Sequence, residues 1–191
     1  MAGDTSFYVT ITYNHVMPRA NPFVYGEVVP KSAFVGRKAE LDRLVADLAD
    51  GQKVFLISPR RYGKSSLIRH AFAALSRDRV DTLEVTVSSF SSYVAFLEGY
   101  VRALAGVDAR GDGRSWLRDL FTTFTPELRA EAGNGGLAVS FPAVRTPRDA
   151  ARLGAEVFAL PARIAAKRGR RLVIAMDEFQ AVTGYDAGNV E

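Results

Sequence analysis

Gly63, Lys64 and Ser65, near the end of the stretch "SPRRYGKSS" (Ser58 to Ser66), have the types and spacing of a phosphate-binding loop. In such a loop successive backbone N–H groups curl around a phosphate at a helix N-terminus. The lysine reaches the outer phosphates, and the hydroxyl that follows ligates magnesium. The pattern G-x-x-x-x-G-K-[ST] is broken only at its first position, Ser58, where the chain should leave a strand. Glycine eases a tight exit there, and serine, with its small side chain, can take many of the same conformations. A plainer reading of the same residues is a turn followed by a helix, capped by Ser65 or Ser66, with Lys64 in solvent.

A second constellation lies more than a hundred residues further on. "LVIAMDEFQ", Leu172 to Gln180, is an apolar run that stops at Asp177 and Glu178. A carboxylate at the end of such a strand can hold magnesium beside a phosphate loop, and an adjacent one can polarise a water for attack on phosphorus. Asp177 suits the first role and Glu178 the second, because neighbouring side chains leave a strand on opposite sides. The alternative is a strand that happens to end in two solvated acids.

Positioning these groups requires strands that end at them and a helix that starts at Lys64. "KVFLIS" (53–58) reads as a buried strand, "PRRYG" as a loop, and Lys64 to Ser76 as a helix carrying Leu67, Ile68, Phe72 and Leu75. Upstream, Leu41, Leu44, Val45 and Leu48 predict a helix from Lys38 to Asp50, stopped by Gly51. Downstream, "DTLEVTVSS" alternates as a strand, and a helix follows through "YVAFLEGYVRALAG". Residues 108–146 break this βα succession. They carry a short helical piece, "WLRDLFTTF", and "NGGLAVSF", which resembles one arm of a hairpin, so they read as an insertion in which Trp116, Leu117, Leu120 and Phe121 form core. A long helix from Pro147 to Lys167 then leads to "RLVIAMDEF", whose continuous apolar run predicts a central parallel strand.

With these pieces in order, "FVGRKAELDRL", "SPRRYGKSSLI" and "IAMDEFQ", together with the lead-in "NPFVYGEVV", resemble the archaeal-type P-loop ATPase family, a branch of the AAA-related, STAND-like NTPases. The resemblance spans Asn21 to Gln180. It implies an α/β fold, a three-layer αβα P-loop NTPase with a mainly parallel sheet, and it implies ATP and Mg2+ as ligands. It places Ser58, Pro59, Arg60, Arg61, Tyr62, Gly63, Lys64, Ser65 and Ser66 around the phosphates. Ser65 and Asp177 would hold the metal, and Lys64 and Glu178 would be catalytic. Phe34, Val35, Gly36 and Arg37 would lie beside adenine and ribose, although they also read as an apolar staple with Gly36 in the turn. Because the loop binds mainly through its backbone, Arg60 and Arg61 suit a solvated or interface position. His70 reads as an ordinary helix-surface residue.

In relatives that carry the added glutamate, a further strand inserts between the phosphate-loop strand and the Asp-Glu strand, and a polar residue, a further strand and a helical lid follow. No such strand follows Gln180 before Glu191, so the resemblance predicts the N-terminal part of an ATPase, truncated after the Asp-Glu strand (Walker B). On that basis this length of chain is expected to bind ATP weakly and to hydrolyse it little or not at all. Two other readings stay open: a nucleotide-operated signalling switch or scaffold with slow turnover, and a DNA-associated ATPase.

Composition bounds these readings. The chain has 191 residues, 48% hydrophobic and 24% charged, as expected for one globular domain. Residues 1–20, with "SFYVTITY", read as an arm or extra strand ahead of the domain at 21–191. They lack the basic start and undiluted apolar core of a signal sequence. No apolar run approaches the roughly 20 residues of a membrane-spanning helix. The absence of cysteine rules out disulfides and thiolate metal sites and fits a cytoplasmic protein. The net charge of +4, with short clusters at Arg60–Arg61 and "KRGRR" (167–171), gives only weak support for a nucleic-acid partner. A protein partner or self-association is compatible with the sequence.

Overall fold

The computed structural model of the chain describes residues 36–57, 62–75, 80–107, 119–130 and 137–185. The readings made on residues 1–20, Phe34, Val35, Ser58, Pro59, Arg60, Arg61, Trp116 and Leu117 lie outside them. In chain order the described residues form α1 (Lys38–Ala49), α2 (Lys64–Leu75), β1 (Val80–Thr86), α3 (Tyr93–Val107), β2 (Glu127–Ala130), β3 (Leu137–Ser140), α4 (Pro147–Arg168) and β4 (Arg171–Asp177). Short 3-10 turns follow β1 at Val87–Ser89 and β4 at Phe179–Gly184. No described helix is long and apolar enough to cross a membrane.

β1 and β4 pair in parallel, from Val80 opposite Arg171 to Thr86 opposite Asp177. Paired residues in this register project to the same face, and successive pairs alternate. One face carries Leu83 and Val85 with Leu172, Ile174 and Met176, and these join the core made by Phe96, Leu97, Val101 and Leu104 of α3 and Leu153, Val157 and Leu160 of α4. The other face carries Glu84 and Asp177, reached by Arg69 and Ser65 of α2 at 3.3 Å each. The sheet is therefore covered by α3 and α4 on one side and by α2 on the other.

The crossover from β1 to β4 includes an antiparallel hairpin in which β2 pairs with β3, Leu128 opposite Val139. The "NGGLAVSF" arm is β3. Val139 and Phe141 enter the same core as α3 and α4, with Leu120 and Phe121 packed against it. The apolar positions of 108–146 that the structure describes thus bury against the main domain as well as against each other, the Phe121 and Phe141 rings lying 5.1 Å apart.

One reading is corrected. Residues 52–57 form no strand, and Phe55 and Ile57 are 84% and 93% exposed, so "KVFLIS" is not a buried strand in this structure. A buried strand needs a hydrogen-bonding edge and cover on both faces. β1 and β4 pair only with each other among the described residues, and Leu56 alone of this run packs inward, against Leu44 and Leu67. Among the described residues β4 pairs with β1 alone. Leu172 to Asp177 are half-buried throughout, with one edge on β1.

Local chemistry fixes the ends of α4. Thr146 accepts a hydrogen bond from the Asp149 N–H at 3.1 Å, and Asp149 accepts one from the Thr146 N–H at 3.1 Å, a reciprocal capping box. At the other end Gly169 turns at φ +59°, and Arg168 and Arg170 both donate to Asp81 at 2.8 Å. Two cations of "KRGRR" therefore tie the α4–β4 turn to the start of β1. The Thr146 hydroxyl, then the backbone N–H of Arg145, hold the Asp149 carboxyl below its ordinary pKa. A carboxyl lowered by folding adds stability above its unfolded pKa, and that stability is lost as pH falls through the folded value. Thr146→Ala is expected to cost about 1 kcal/mol near neutral pH. The variant should also lose less of its remaining stability than the wild type below about pH 4. Urea melts of both proteins at pH 7 and pH 3 check the two expectations.

Candidate active site

α2 begins directly after Gly63, whose φ of +70° lies in the left-handed region that side chains rarely adopt. The glycine of "GKS" is thus required by the backbone. The first amides of α2 have no partner within the helix, and the helix dipole makes this end electropositive. Ser65, in the first turn, reaches across to the sheet, where its hydroxyl donates to Asp177 Oδ2 at 3.3 Å. Asp177 is delivered by the last pair of the β1–β4 register, opposite Thr86. Its other oxygen accepts the Glu178 N–H at 2.9 Å, so both carboxylate oxygens are oriented.

Glu178 lies just past β4 in a left-handed conformation, φ 54°, the one non-glycine residue of positive φ among those described. This turn separates the two acids. Asp177 faces α2, whereas the Glu178 carboxylate accepts a hydrogen bond from Ser88 Oγ beyond the end of β1. Tyr185 secures the same corner. Its hydroxyl donates to the Val87 carbonyl and its ring stacks on Phe96 at 5.9 Å. Burial raises the Tyr185 pKa above its ordinary value.

The structure thus brings Gly63, Lys64 and Ser65 to the same strand ends as Asp177 and Glu178. Ser66 is buried within α2, and the Tyr62 side chain is 68% exposed. Gly36 turns at φ +86° ahead of α1, and the Arg37 side chain runs to the loop, donating to the Tyr62 carbonyl at 2.6 Å and to Glu40 at 2.8 Å. His70 is half-buried on α2, and no cluster of three or more His, Cys, Asp or Glu fit for a metal occurs among the described residues. A cleft of about 260 Å³ lies between α1 and residues 54–56, lined by Leu44, Val54, Leu56 and Leu67 with Glu40, Arg43 and Asp47. None of Lys64, Ser65, Asp177 or Glu178 lines it.

Ser88, Glu40 and Tyr185 escaped the reading of the sequence. Ser88 had one available signal: it is a polar residue just past the end of a strand, in "VTVSS", and parallel pairing sets that end beside the acids. Glu40 and Tyr185 act through contacts that spacing along the chain does not reveal. Comparison with protein-family models, with curated proteins and with solved structures finds no match.

Proposed function

We propose that the chain is a P-loop ATPase module that binds ATP with magnesium at the start of α2 and the end of β4. The observation that carries the reading is the contact between Ser65 and Asp177, residues 112 positions apart. A turn with a helix cap would place no demand on a distant strand. A metal site needs this pair of oxygens together. Their separation of 3.3 Å is close to the spacing of adjacent ligands around magnesium, about 3 Å for metal–oxygen bonds of about 2.1 Å in an octahedron. The residues present therefore fit the ion. Ser65 and Asp177 would hold it, directly or through water, and when bound it neutralises charge on the outer phosphates.

In this reading the backbone amides at the start of α2 and the Lys64 ammonium bind the phosphates. Glu178 orients a water and accepts its proton as the water oxygen bonds to the γ-phosphorus. The bond from that phosphorus to the bridging oxygen breaks, giving ADP and inorganic phosphate. Residues 52–57, which lead into the loop, have no sheet pairing among those described, and Arg37 holds the Tyr62 carbonyl at the start of α2. This supports modest affinity. The pairing of Arg168 and Arg170 with Asp81 draws on the basic cluster that suggested DNA, which favours the nucleotide reading over the DNA-associated one.

Titration calorimetry tests the proposal. Saturable binding of Mg-ATP is expected, weakened about tenfold or more in Asp177→Asn, through loss of a charged metal ligand. Removing magnesium with chelator should weaken the wild type to a similar degree and leave the variant nearly unchanged. Absence of saturable binding to the wild type at millimolar Mg-ATP, or equal affinity in the variant, would overturn it.

A further inference from the structure

The contacts of Arg37 assign it a task distinct from touching adenine or ribose. Its guanidinium sends Nη1 to the Tyr62 carbonyl at 2.6 Å, while Nε and Nη2 both go to one oxygen of Glu40, three residues on in the first turn of α1. Glu40 thus holds the guanidinium in place, and α1 fixes Glu40. The Arg37 side chain is 26% exposed. Its Nη1 would lie 3.5 Å from a Cβ built on Gly63, so the cation sits against the Tyr62–Gly63 peptide at the entry to α2.

We propose that Arg37 is a positioning residue that sets the plane of the Tyr62–Gly63 peptide and so aims the phosphate-binding amide of Gly63. In a trans peptide the C=O and the following N–H point in opposite directions, and no described bond is cis. Drawing the Tyr62 carbonyl toward Arg37 therefore directs the Gly63 N–H away from it. Glycine is the residue least able to hold that orientation by itself, because it accepts both signs of φ. The brace supplies what Gly63 lacks, and it ties loop geometry to α1. The planar fork of arginine matters here: lysine could satisfy the carbonyl but could not also present two donors to Glu40.

The inference rests on the nucleotide reading for its functional consequence but not for its structural one, and two measurements separate them. The first is binding of Mg-ATP and of magnesium tripolyphosphate, which has neither base nor ribose, to the wild type, Arg37→Ala and Arg37→Lys. A brace predicts the same loss for both ligands in Arg37→Ala, about tenfold, with partial recovery in Arg37→Lys. A loss confined to ATP would mean direct contact with the nucleoside and would overturn the inference. The second is amide hydrogen exchange at Leu67 without ligand, since its N–H bonds to Gly63 O at 3.0 Å and closes the first turn of α2. Severalfold faster exchange is expected in Arg37→Ala, less in Arg37→Lys, while thermal melting verifies that both are folded. Unchanged exchange would overturn the brace. Should the wild type bind neither ligand, the nucleotide reading fails and the exchange result alone decides the role of Arg37.

Discussion

Glu178→Gln is expected to slow Mg-ATP hydrolysis about 100- to 10,000-fold, the usual contribution of a positioned general base, with the Kd for Mg-ATP nearly unchanged. Glutamine keeps the length of the side chain, and its carbonyl can still accept the Ser88 hydroxyl that holds Glu178. The backbone bond from residue 178 to Asp177 is also kept. What is lost is the ability to take a proton from water. The substitution therefore isolates the proposed chemistry from the architecture that presents it. Equal rates in wild type and variant would remove Glu178 from the reaction, and binding without turnover in either would favour the nucleotide-operated switch.

Phe96→Ala is expected to be the most damaging single change to the fold, at about 3–5 kcal/mol. Phe96 is 1% exposed, and its ring lies 5.8 Å from that of Phe90 and 5.9 Å from those of Tyr100 and Tyr185. Truncation would leave a cavity among rigid aromatics, including Tyr100, whose burial pushes its pKa up to about 12. These rings cannot collapse freely into the space. Phe158, whose ring is also near Phe96 at 6.3 Å, is 48% exposed, so Phe158→Ala is expected to cost much less. Urea midpoints at constant m-value rank the two variants. The cost also reaches the site, because the Tyr185 ring that stacks on Phe96 anchors the turn carrying Glu178 through its bond to Val87. Phe96→Leu, which keeps most of the volume, should retain more stability and more turnover than Phe96→Ala. Equal stability of Phe96→Ala and Phe158→Ala would contradict this account of the core.

The helices were legible in the sequence because their apolar residues recur at helical spacing. α1, α2, α3 and α4 all start where Lys38, Lys64, Tyr93 and Pro147 begin such a stripe. β1 and β4 were legible from alternation and from an apolar run, respectively. The run "KVFLIS" misled, because a short apolar stretch reports a tendency to be covered and says nothing about what is available to cover it. Phe55 and Ile57 stand exposed, whereas Leu56 finds Leu44 and Leu67. Among the candidate site residues, the roles of Gly63, Ser65 and Asp177 could be framed from type and spacing. The partnership of Arg37 with Tyr62 and of Glu178 with Ser88 could not, since each joins segments whose separation is set by the packing of helices and strands.

By itself, then, the sequence determined which residues have the types and spacing suited to phosphate and metal, and that a helix begins at Lys64 and a strand ends at Asp177. Those are properties of residue type and local period, which act over a few positions. Only the tertiary structure decided that Ser65 meets Asp177 across 112 residues, that the two adjacent acids turn to different sides, and that the arginine just ahead of α1 holds the Tyr62 carbonyl. These follow from the parallel register of β1 with β4 and from the seating of α2 on the sheet face opposite α3 and α4. Such long-range geometry is fixed by burial and hydrogen bonding of the assembled chain, and no local pattern contains it.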